Sequence, residues 1–83
     1  MEQEIGKVIH YYDKLGVAIV ELLAPLTVGD TIRIKWGEEE FKQTIDSMQA
    51  EHQSVQSAQA GSQVGIKVSQ KAKEGAVVFR VTG

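Results

Sequence analysis

The sequence predicts an all-β protein: a small closed antiparallel β-barrel of six strands, formed by residues 1–83 as one domain. Three observations point there. Ten valines and seven isoleucines stand against four leucines, and side chains branched at Cβ suit the pleated, half-buried surface of a sheet. Eight glycines fall between the apolar runs at short intervals, as turns between short strands do. There is no cysteine, so disulfides and thiol chemistry are excluded and the fold rests on packing alone. A chain this short buries only about two-thirds of its unfolded surface. A sandwich of that size would leave exposed edges, and closing the sheet removes them.

The strands follow in order. Ile5 to Tyr12 is the first, ended by the turn Asp13-Lys14-Leu15-Gly16. Val17 to Leu23 is the second, dense enough in apolar residues to be covered on both sides. Ala24-Pro25 interrupts it, because proline cannot donate to a ladder. Val28-Gly29-Asp30 turns the chain into a third strand. There Ile32, Ile34 and Trp36 face one way and Thr31, Arg33 and Lys35 the other, the clearest alternation in the chain. After Gly37-Glu38-Glu39, the segment Phe41 to Met48 is the antiparallel return. Gln49 to Ser62 is polar and reads as a loop with a helical turn near Val55–Ala58. Val64 to Val68 and Ala76 to Val81 are the fifth and sixth strands, joined by the charged connection Ser69–Gly75. The predicted interior is Val8, Val20, Ile32, Ile34, Ile45, Val64, Ile66, Val77 and Phe79, with Trp36 added from its position on the Ile32/Ile34 face. Such a barrel has no room for a ligand inside, so recognition is expected on its outside.

Apolar residues make up 42% of the chain and charged residues 24%, a globular composition and not a disordered one. No apolar run is long enough to span a membrane. The opening Met1-Glu2-Gln3-Glu4 is acidic and lacks the apolar segment of a secretory signal. The expected compartment is the cytoplasm, with no membrane partner.

Several segments resemble a known family. Leu26-Thr27-Val28-Gly29-Asp30-Thr31-Ile32-Arg33-Ile34 is similar to the L-K-x-G-D-x-I-x-I hairpin in the second domain of translational GTPases. Ile45-Asp46-Ser47-Met48-Gln49 resembles that domain's V-x-S-M-Q strand. Ala58-Gln59-Ala60-Gly61-Ser62-Gln63-Val64-Gly65-Ile66 resembles its A-x-A-G-D-x-V-G-I segment, and Glu74-Gly75-Ala76-Val77-Val78 its x-G-D-x-V ending. In this order, the pieces are those of the translation-protein β-barrel and cover about residues 5–81. The opening Glu4–Tyr12 and the strand Val17–Leu22 look closer still to stand-alone elongation-factor-like proteins, and equally to the C-terminal barrel of the collagenase-like peptidase family, several members of which act in RNA modification. Two Gly-Asp turns of the pattern are altered, to Gly61-Ser62 and Gly75-Ala76. An Asp there accepts a local backbone hydrogen bond, so each change forgoes up to about 1 kcal/mol. The G-x-x-x-x-G-K-[ST] phosphate cradle is missing, as is the catalytic body of the peptidase family, so neither activity carries over.

The chemical inventory agrees with a non-enzymatic protein. His10, His52 and the serines of residues 47–69 are not spaced as a nucleophile with its base and orienting group. No His-x-His or His-x-x-x-His pair suggests a metal. Glu38-Glu39-Glu40 reads as a solvated turn. No cofactor and no small-molecule substrate are expected.

The remaining question is what the outside binds. The net charge is −2, whereas proteins that hold nucleic acid by phosphate neutralisation alone are normally basic. Bases nevertheless gather at Arg33 and Lys35 and from Lys67 to Lys73. His10-Tyr11-Tyr12 with Lys14 adds rings on which bases stack, worth about 1–3 kcal/mol each. Alternation offers a plainer account, with one tyrosine in the barrel wall and the other over its open end. The first reading is therefore an accessory module that contacts structured RNA (tRNA or ribosomal RNA) or a ribosome-associated protein through His10, Tyr11, Tyr12, Lys14, Arg33, Lys35 and Lys67, as the family resemblance implies. The alternative is a protein–protein interaction domain, equivalent to the C-terminal domain of a collagenase-like peptidase, with no nucleic-acid contact. A contiguous positive face would favour the first and a neutral apolar patch the second.

Overall fold

The computed structural model describes residues 2–51 and 53–82. Every regular element in them is a strand: β1 (Glu2–Tyr12), β2 (Val17–Leu22), β3 (Leu26–Thr27), β4 (Thr31–Trp36), β5 (Glu39–Thr44), β6 (Met48–Ala50), β7 (Gln53–Val55), β8 (Ser57–Ala58), β9 (Gln63–Lys67) and β10 (Val77–Val81). Among the described residues, no helix is long and apolar enough to cross a membrane. The all-β class is therefore as expected. The strand count is larger, and the hydrogen-bonded order is open: β5-β4-β10-β1-β2-β9-β6-β7, with β3 and β8 forming a separate ribbon. All pairings are antiparallel.

The centre of this order is β1, which pairs with β10 on one side and β2 on the other. Its ladder slips twice, between Glu4 and Gly6 and between Val8 and His10. Bulges bend a strand and increase its twist, and here they bring both Ile5 and Val8 into the interior. The first bend depends on Gly6. A Cβ at this position would fall on the carbonyl oxygen of Glu21 in β2 and touch Val20. The first strand begins earlier than expected because Glu2, Gln3 and Glu4 pair with Val81, Arg80 and Phe79.

The sheet curls far enough to bring β5 beside the end of β9, but no ladder joins them. At this seam, the Gln43 side chain replaces the backbone. Its amide nitrogen donates to the Lys67 carbonyl at 2.9 Å, and its amide oxygen accepts from the Ser69 N–H at 2.7 Å. Beyond Thr44 the chain leaves the ladder. Ile45 turns inward, donating its N–H to the Asp30 carbonyl and accepting from Gly29. The expected six-stranded closed barrel thus differs from what is found: the ladder runs out at β5 and β7, and one side chain spans the gap beside β5.

Three turns repeat one geometry. The N–H groups of Asp30, Ser62 and Ala76 donate to the carbonyls three residues earlier, and the glycine before each has positive φ: Gly29 at 99°, Gly61 at 89° and Gly75 at 90°. A turn with its third residue in that region selects glycine. The following Asp is dispensable, which is why Ser62 and Ala76 serve. At Asp30 the carboxylate adds a further bond, accepting from the Thr27 N–H at 3.0 Å.

The interior is wholly apolar, with no buried polar or charged residue among those described. Of the predicted core, Val8, Val20, Ile32, Ile34, Ile45, Val64 and Ile66 are buried. Val77 and Phe79 are not, and β10 faces the other way: Ala76 and Val78 point inward, Val78 opposite Ile34. Residues 76–79 are apolar throughout, so alternation alone left two registers open. Pairing with β4 selects the one that sets Phe79 opposite Arg33, whose guanidinium lies 5.2 Å from the ring centroid. Trp36 is also displaced from the interior. It is half-buried at the end of β4 and meets Phe41 edge-to-face at 6.0 Å. The polar segment 49–62 is not a loop with a helical turn, because Val55 and Ser57–Ala58 are extended in β7 and β8. There Leu26, paired with Ala58, fills the core from the separate ribbon.

Two substitutions test this construction. Gly6→Ala forces backbone apart from backbone and should destabilise by about 1–3 kcal/mol, read as a lower urea midpoint. Gln43→Ala removes both seam bonds. It should cost about 1–2 kcal/mol and accelerate hydrogen exchange at the Ser69 amide.

Candidate functional site

The seven residues singled out in the sequence do not form one site. His10, Tyr11 and Tyr12 alternate along β1. Tyr11 turns towards the core and packs against it, while Tyr12 is 46% exposed on the outside. His10 lies on the same outer face as Tyr12, ring to ring at 4.4 Å and near-perpendicular. Its Nδ1 sits 2.8 Å from a Glu74 carboxylate oxygen, so the ring ties β1 to the 69–75 connection. Lys14 is exposed in the turn after β1. Lys67 joins this region because Tyr12 pairs with Val17 and Val17 with Lys67, which places the three in a row across β1, β2 and β9.

Arg33 and Lys35 are elsewhere, on β4, with β10, β1 and β2 intervening in the ladder before β9. Arg33 is not free to meet a phosphate. Its guanidinium pairs with Glu2 and, at 3.2 Å, with Glu40, while resting over Phe79, and its side chain is only 23% exposed. It fastens the start of β1 and β5 to β4. Arg80 is similarly occupied, donating to the Pro25 carbonyl and the Gln3 side chain. The contiguous positive face through Arg33, Lys35 and Lys67 is thus broken up by position and by pairing. His52 lies outside the described residues. No group of three or more described His, Asp or Glu side chains is placed to hold a metal ion.

The outer face of β1, β2, β9 and β6 carries something the sequence did not point to. Rows run Tyr12–Val17–Lys67 and His10–Ile19–Gly65–Gln49. Gly65 has no side chain, so the sheet there is a shallow trough. A Cβ on it would lie 3.2 Å from Val17 Cγ1 and 3.4 Å from Ile19 Cδ1. Tyr12, Leu15, Val17 and Ile19 wall the trough, and Gln49, Glu51, Gln63 and Lys67 border it. Leu15 is 66% exposed, a large apolar side chain held in water beside other apolar groups. Exposed apolar surface that clusters beneath a polar rim is how protein contact sites differ from scattered surface leucines. The signal was present in the sequence as Leu15 and Gly65. Only the cross-strand pairing brings them together.

The fold is known from solved structures. The C-terminal domain of a Geobacillus thermoleovorans protein named as a U32 peptidase superposes with a TM-score of 0.89 at 22% identity, over 96% of this chain and 93% of that one. Its selenomethionine variant gives 0.87 at 23% identity, over 95% and 99%. By sequence, the chain is 38% identical over 77 residues to an uncharacterized protease of Methanocaldococcus jannaschii. That match takes in 92% of this chain and 19% of the relative, so the chain spans about a fifth of that protein's length. No protein-family model matches. Of the resemblances read in the sequence, these likenesses fall on the collagenase-like peptidase side.

The different settings of Arg33 and Lys35 are measurable. Arg33→Ala should lower stability by about 1–2 kcal/mol, losing a shared ion-pair partner and its contact over Phe79. Lys35→Ala should stay within about 0.5 kcal/mol of the unchanged protein. Urea midpoints for the two variants check both.

Proposed function

We propose that this chain is a non-enzymatic interaction module of a U32 peptidase-like protein, and that it docks on protein through the trough around Gly65. The observation that carries the reading is this exposed apolar trough with its polar rim. Support comes from scale as well. The chain matches a fifth of a protein named as a protease, and its fold is that of a C-terminal domain of a protein named as a U32 peptidase. A domain in that setting meets a larger body, and an outer apolar face is where such contact forms. The partner surface is protein with a complementary apolar ridge. The trough has one acid, Glu51, and one base, Lys67, on its rim, so charge contributes little to the match.

Contact with structured RNA through the seven residues named from the sequence has less in its favour. His10 and Arg33 are engaged by carboxylates, and the rest are divided between two parts of the surface.

Isothermal titration of the chain into the methanogen relative lacking its matched segment tests the proposal. Saturable binding is expected, accompanied by a negative heat-capacity change from apolar burial. Leu15→Asp should weaken it by about tenfold or more, with the melting temperature unchanged because Leu15 is exposed. Gly65→Val should fill the trough and likewise weaken binding, with Val17 and Ile19 giving way to the new side chain. Absence of binding, or binding indifferent to both changes, would overturn the assignment.

A further inference from the structure

A second concavity lies away from the trough, where the end of β4 meets the 69–75 connection. Trp36 and Lys73 are shared by two adjoining depressions. One is a cleft of about 460 Å³ that also takes in Lys35, Val77 and Phe79, and the other adds Lys71 and Ala72. A partly buried indole thus stands among three lysines. We propose that this cleft binds nucleotide chemistry, a planar base stacked on Trp36 with its phosphate held by Lys35, Lys71 and Lys73.

The lysines are available, and the connection that carries two of them is anchored at its C-terminal end. None of the three forms a salt bridge with a described carboxylate: Glu40, opposite Lys35, pairs with Arg33, and Glu74, at the rim, with His10, while Glu39, opposite Trp36, lies on the neighbouring strand. Ala72 is buried between Lys71 and Lys73, which turns both lysines to solvent. The connection is fastened to β1 by the Gly75 N–H on the Val8 carbonyl at 2.7 Å and the Val8 N–H on the Ala76 carbonyl at 2.8 Å. Ligand binding therefore has less backbone left to order. Trp36 is itself fixed on one side by Phe41. Aromatic platforms flanked by cations are how proteins hold single nucleotides and unpaired strands without reading their sequence. An ammonium serves phosphate as a point charge.

Trp36 is the chain's one tryptophan, so its fluorescence reports on the cleft directly. The native chain is titrated at low salt with adenosine 5′-monophosphate, with a short single strand of uridines and with oligoglutamate of matched charge. Saturable quenching by the mononucleotide marks a free nucleotide as the ligand, and quenching by the strand alone marks an unpaired strand. For the strand, log K should fall as log salt rises, by roughly 0.7 per phosphate neutralised. The double variant Lys71→Glu with Lys73→Glu should lose about tenfold or more in affinity with its melting temperature unchanged. Lys35→Gln, on the strand and away from the connection, should weaken binding in the same direction. No quenching by either nucleotide ligand, equal quenching by oligoglutamate, or lysine variants that bind as before would each overturn the proposal.

Discussion

The close approach of β1 and β2 at Gly6 is the constraint on which the rest of this structure depends. A side chain there would occupy the space of the Glu21 carbonyl oxygen, so the bend exists only because glycine leaves that space open. The bend, with a second slip after Val8, lets one strand contribute Ile5 and Val8 to the same interior while pairing with β10 and β2 on either side. Curvature carried outward from β1 brings β5 beside the end of β9. There, the strands are no longer in ladder register, and the Gln43 amide meets one carbonyl and one N–H as a backbone unit would. An edge satisfied in this way is less open to pairing with another chain.

The described core is made of apolar residues, and the outer surface around it is not uniform. The trough around Gly65 is apolar with a mixed polar rim, suited to another protein. The cleft at Trp36 pairs an indole with uncommitted lysines, suited to an anion bearing a flat ring. The two faces are compatible with one role: a small domain held to a larger body by one surface and presenting the other.

Arg33 shows how a charged residue at the surface can be structural. Read as a member of an outward-facing Thr31–Arg33–Lys35 row, it is a candidate phosphate ligand. In the fold, it lies over Phe79 between Glu2 and Glu40, joining three strands that are far apart in sequence. Lys35, two residues on, keeps its charge free. The distinction comes from where the acids of β1 and β5 arrive, and β4 by itself carries no trace of it.

The all-β class, the inward positions of Val20, Ile32, Ile34, Val64 and Ile66 and the turn at Gly29 were legible in the sequence, because each follows from residue chemistry or a period of two along a few neighbouring residues. Where local information is degenerate, the sequence left the answer open. Residues 76–79 are apolar at every position, so only pairing with β4 could decide that Val78 enters the core and Phe79 stays outside. Residues 49–62 are polar and lack a period, and they become strands because Met48 and Leu26 bring hydrogen-bonding partners and a core to them. The two surfaces proposed for binding are further beyond local reading. Leu15 meets Gly65, and Lys35 meets Lys71 and Lys73, across separations that are closed only when the sheet bends. Alternation determines which side of a strand a residue takes, whereas its neighbours on that side are set by register and curvature, and these are properties of the assembled sheet.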